Sequence, residues 1–85
     1  MYRTLFSRDA IKALRRMPKN TAGLIRSKIN QLAQDPFAAN NNVKKLTGRP
    51  GYRLRVGDWR VIYDVETELR ILSVERIAPR GGVYP

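Results

Sequence analysis

Two short alternating stretches separated only by Gly57-Asp58 constrain this chain more than any other feature. Residues 52–56 read YRLRV and residues 59–65 read WRVIYDV. Alternation of this kind marks half-buried strands. A two-residue link joins strands only as an antiparallel hairpin, and glycine in its first position suits a type II′ turn. Such a turn fixes the register, with Val56 opposite Trp59 and Arg55 opposite Arg60. Successive strand side chains point to opposite faces. Tyr52, Leu54, Val56, Trp59, Val61 and Tyr63 therefore share one face, and Arg53, Arg55, Arg60 and Ile62 share the other.

Upstream of the hairpin the period is helical. Residues 2–6 read as a short strand. Ser7 is a good N-cap, and Asp9 in the first turn complements the helix dipole. Ala10, Ile11, Leu14 and Met17 recur at helical spacing until Pro18. A second helix is expected from Asn20 or Thr21, with Leu24, Ile25, Ile29 and Leu32 as its apolar stripe and Asp35-Pro36 as its end. So short a link between helices predicts an antiparallel helical hairpin. Residues 37–42 read as a loop anchored by Phe37, and the period changes from Val43. A last strand over roughly 69–77 is apolar enough to be interior. The expected class is α+β: β-α-α-β-β-β, a small twisted, mostly antiparallel sheet with the helical hairpin packed on one face. Neither repeats nor a linker appear, so residues 1–85 are expected to form one domain.

Charge narrows the partners. The 85 residues carry 17 Lys+Arg against 7 Asp+Glu, a net +10. A small domain this basic attracts polyanions: nucleic acid, an acidic protein or an anionic surface. No transmembrane segment and no signal peptide are read, so a membrane partner is not expected. The chain has no cysteine and no histidine. It therefore lacks the usual general base and the usual zinc ligands, and no metal site or cofactor is expected. The lack of cysteine also fits a reducing, cytoplasmic location.

The hairpin bears the sharpest chemical signal. Like charges directly opposite each other destabilise a sheet, so three arginines on one face point to an anionic ligand. Guanidinium forks match phosphate oxygens well. Lys44, Lys45 and Arg49 lead into the hairpin and are candidate phosphate contacts. Arg8, Lys12, Arg15, Arg16 and Lys19 form a basic stripe on the first helix, read as a solvated face. Trp59 is assigned to the core rather than to base stacking.

Three segments together resemble the RelE/ParE toxin superfamily: Lys44-Lys45-Leu46, the run GYRLRVGDWRVIY from Gly51 to Tyr63, and Arg80-Gly81-Gly82-Val83-Tyr84. The resemblance implies a toxin neutralised by an acidic antitoxin. It also implies one of two activities. RelE-type members cut messenger RNA in the ribosomal A site, whereas ParE-type members inhibit DNA gyrase without cutting nucleic acid. Basic residues on one strand, an arginine on the next and a terminal arginine-tyrosine pair characterise the nuclease branch. Arg53 and Arg55, Arg60, and Arg80 with Tyr84 match that set. The favoured expectation is a metal-independent, ribosome-dependent messenger RNA endoribonuclease. The alternatives are a gyrase inhibitor and a catalytically decayed RNA- or antitoxin-binding domain on the same fold.

Overall fold

Ser7 decides where the first helix starts. Its Oγ accepts the Ala10 N–H at 3.0 Å, satisfying one of the amides that a helix N-terminus leaves open. The same hydroxyl donates to the Glu75 carbonyl across the molecule. In the computed structural model, which describes residues 1–81, β1 (Arg3–Phe6) runs directly into α1 (Arg8–Arg16). The second helix, α2 (Lys19–Gln34), starts slightly earlier than the sequence suggests because Pro18 occupies the N-cap. The remaining elements are β2 (Val43–Lys45), β3 (Tyr52–Val56), β4 (Trp59–Glu66) and β5 (Ile71–Pro79).

The expected α+β class and the order of elements hold, with one strand added. The five strands form a sheet of order β1-β5-β4-β3-β2. β1 pairs with β5 in parallel, and the other neighbours are antiparallel. The three-residue β2 was not read from the sequence. It is too short to show a period, and its pairing with β3 comes from residues further along the chain. Its two lysines suit an edge, where charge discourages pairing with another chain.

The hairpin register is as expected: Val56 opposes Trp59 and Arg55 opposes Arg60. Gly57 has φ 58° and Asp58 is not in the positive-φ region, as a type II′ turn requires. Ala10, Leu14 and Met17 of the first helical segment and Ile25, Ile29 and Leu32 of α2 pack with Leu54, Val56, Val61, Tyr63, Leu72, Val74 and Ile77. Both helices thus cover one face of the sheet. Trp59 packs partly buried against this core. Leu24 departs from its expected role and is 53% exposed. Leu24 and Ile25 lie about 100° apart on a helix, and the sheet takes the turn bearing Ile25, Ile29 and Leu32. Phe37 is exposed too, touching Tyr52 only edge-on at 6.3 Å between ring centroids.

Tyr63 is the largest fully buried side chain, stacked on Tyr52 at 5.5 Å. Its hydroxyl is buried and hydrogen-bonds to nothing among the described residues. Burial, reinforced by the neighbouring Tyr52 phenol, pushes its ionisation well above the usual tyrosine range. An unfolded tyrosine ionises near pH 10, roughly. The folded state resists that ionisation, so stability is complete below this pH and is lost as pH rises further. Tyr63→Phe is expected to abolish this alkaline loss and to leave neutral-pH stability unchanged or up to about 1 kcal/mol higher. Urea unfolding at neutral pH and above about pH 10 measures both effects. A neutral-pH loss of about 1 kcal/mol or more would show that the hydroxyl has a partner.

Candidate nucleic-acid interface

The face opposite the helices is assembled by strand register. Lys44 pairs with Arg53, Arg53 with Ile62 and Arg55 with Arg60. Ile62 in turn pairs with Arg76, and Arg60 with Ala78. Arg53, Arg55 and Arg60 therefore lie together on one face, with Lys44 beside them. The sequence reading missed Arg76. Its place depends on a register shift between Ile62 and Tyr63, where Tyr63 pairs with Val74 and Glu75 is the extra residue of β5. The signal was present: Val74 and Ile77 are both core residues, three apart where strict alternation demands an even spacing.

The arginines differ in how firmly they are held. Arg60 is half-buried, and its Nη1 donates to the carbonyls of Gly57 at 2.9 Å and Trp59 at 3.0 Å. The turn thus fixes one nitrogen of the guanidinium, on the strand that holds the middle of the sheet. Arg55 is exposed and its Nη2 reaches Asn42 Oδ1 at 3.3 Å. Arg80 is exposed, and its N–H donates to the Asp58 carbonyl at 2.7 Å. The backbone therefore ties Arg80 to the same turn that holds Arg60. Arg49 pairs with Glu75 at 2.9 Å. Lys44, Lys45, Arg49 and Arg53 line one cavity of about 320 Å³. Tyr84 lies outside the described residues.

Arg8, Lys12, Arg15 and Arg16 of α1 and Lys19 at the start of α2 are all exposed, as a solvated face requires. Lys12 and Arg16 line a cleft together with Arg76, Ile77 and Ala78. Asp9 lines the same cleft. Among the described residues no group of His, Cys, Asp and Glu is placed to hold a metal ion. No described helix is long and apolar enough to cross a membrane.

Fold and face together define a small α+β structure with one sheet face under helices and the other bearing Arg53, Arg55 and Arg60 side by side. The family described as ParE toxin of type II toxin-antitoxin system, parDE, matches residues 4–84, and the chain belongs to that family. It is a toxin of a type II toxin–antitoxin system. Solved structures agree. The archaeal RelE–RelB complex from Pyrococcus horikoshii contains a chain 30% identical, with TM-score 0.80 over 96% of this chain and 98% of that one. The intact Escherichia coli RelBE toxin–antitoxin complex shares the fold at 22% identity, TM-score 0.79, covering 93% and 96% of the two chains. A YoeB/ParE toxin from Agrobacterium tumefaciens does so at 17% identity, TM-score 0.78, covering 92% and 98%. Comparison with curated protein sequences gave no match.

Proposed function

We propose that this toxin is a metal-independent endoribonuclease that cuts messenger RNA on the ribosome. The observation that carries the proposal is the direct opposition of Arg55 and Arg60, beside Arg53 and Arg76 on a face without helices. Such a row repels itself unless an anion sits on it. In the reaction, the RNA 2′-oxygen bonds to the adjacent phosphorus and the bond to the 5′-oxygen breaks. The products are a 2′,3′-cyclic phosphate and a 5′-hydroxyl. Charge gathers on the phosphoryl oxygens in the transition state. Arg60 is the clamp for that charge, with Arg53, Arg55 and Arg80 assisting. Arginine stays protonated and the chain has no histidine. Tyr84 is the candidate base for the 2′-proton; alternatively it stacks on a base and orients the RNA while the ribosome supplies the proton chemistry. Lys44, Lys45 and Arg49 hold the RNA backbone.

The same basic surface fits an acidic antitoxin. Two of the similar structures are complexes with RelB or of RelBE, and a +10 chain favours a segment rich in carboxylates that orders on binding. A second reading, gyrase inhibition, is favoured by the ParE family match.

One experiment separates the two readings. Purified toxin is added to a translating extract and messenger RNA ends are mapped, while gyrase supercoiling is assayed in parallel. We expect cuts inside codons in the A site, unchanged supercoiling, and very poor cutting of naked RNA. Intact messenger RNA with blocked supercoiling would replace the nuclease reading by the gyrase one.

A further inference from the structure

The segment joining β2 to β3 folds over the arginine face. The Leu46 N–H donates to the Gly51 carbonyl at 3.0 Å and closes residues 46–51 into a loop. Leu46 itself is buried against Ile62 and Ala78, a second apolar cluster separate from the main core. Arg49 leaves this loop and its Nη2 meets Glu75 Oε1 at 2.9 Å. Glu75 is the extra residue at the register shift in β5, so an irregularity of the strand places a carboxylate beside Arg76. A cavity of about 320 Å³ lies beneath the loop, lined by Lys44, Lys45, Leu46, Thr47, Arg49 and Arg53.

That lining has a definite chemistry. Four cations, one hydroxyl and one apolar side chain suit a unit that is part anionic and part flat and weakly polar. The volume stands at the small end for ligand pockets. Arg53 belongs both to the cavity and to the arginine row. A ligand passing from one to the other must carry a negative charge at every unit, as a phosphodiester chain does.

We propose that this cavity binds one nucleotide of the RNA substrate, and that Glu75 is its built-in competitor. In the free toxin the carboxylate occupies Arg49 where an RNA phosphate would. Substrate displaces it. The ion pair is exposed on both sides, at 48% and 41% of the side chains, and such pairs are weak enough to exchange. The inference rests on RNA being the substrate and specifies one subsite for it.

The test measures binding of a short single-stranded RNA to the full chain by fluorescence anisotropy. Glu75→Gln should tighten binding by up to about fivefold, the worth of an exposed ion pair. Glu68→Gln makes the same charge change in the exposed turn after β4 and should leave affinity unaltered. Adding Arg49→Ala to Glu75→Gln should remove the gain and lower the salt slope by roughly one. Equal tightening by Glu75→Gln and Glu68→Gln would reduce the effect to net charge and overturn the proposal. So would tightening toward an acidic peptide but not toward RNA, since the pocket would then dock protein. If messenger RNA is cut in the extract while Glu75→Gln binds RNA like wild type, this inference alone fails. If the wild type neither binds RNA nor cuts it, the nuclease reading fails as well.

Discussion

Arg60→Ala is expected to slow single-turnover cleavage on the ribosome by about a hundredfold or more, with little loss of binding. The expectation follows from how the side chain is held. Two carbonyls, those of Gly57 and Trp59, fix Arg60 Nη1, while the strand beneath lies between β3 and β5. A donor positioned before the reaction stabilises developing charge without reorganising, and loss of one such donor typically costs on the order of 3 kcal/mol. Lys44 lies on a three-residue edge strand and is exposed, so it is expected to contribute attraction rather than positioning. Lys44→Ala should therefore weaken binding and reduce its salt slope while leaving the saturated rate nearly unchanged. Stability controls the comparison. Arg60→Ala loses two hydrogen bonds to the turn but relieves repulsion with Arg55, so its melting temperature should stay within several degrees of wild type, the equivalent of about 1 kcal/mol. A normal cleavage rate in a folded Arg60→Ala protein would place the clamp elsewhere on the sheet.

The arginine row was legible in the sequence because it rests on the two most local rules of strand structure. A two-residue turn sets the register, and alternation sets the face. Arg55 and Arg60 consequently meet as read. What escaped depends on longer-range geometry. The brief β2 is defined by its pairing with β3, not by any period of its own. Arg76 joins the site only through the displaced register at Glu75. The Arg49–Glu75 pair links a loop to a strand irregularity across 26 positions, beyond the reach of any periodicity. Leu24 shows the opposite limit. The helical stripe was real, but Leu24 and Ile25 point about 100° apart around the helix, and sequence alone does not say which one yields.

Gly51→Ala is expected to destabilise the fold by about 3 kcal/mol or more, for two separate reasons. Gly51 has φ 110°, a region that L side chains rarely occupy, and forcing one there costs on the order of 1–3 kcal/mol. A Cβ at this position would also stand 2.9 Å from the Tyr63 carbonyl oxygen. That oxygen cannot retreat easily, because Tyr63 is fully buried on β4 and paired on both sides. A domain of this size has roughly 4–13 kcal/mol of total stability, so the melting temperature should fall by on the order of 10–25 °C. Gly57→Ala separates strain from collision. Gly57 also has positive φ, at 58°, but a Cβ there meets nothing within 4 Å. It should therefore lose the strain alone, about 1–3 kcal/mol, and less than Gly51→Ala. Equal melting temperatures for the two variants would mean that the 46–51 loop shifts freely off β4. A loop that free could not hold Arg49 against Glu75 or form the cavity beneath it, so this thermal melt also tests the geometry on which the nucleotide subsite depends.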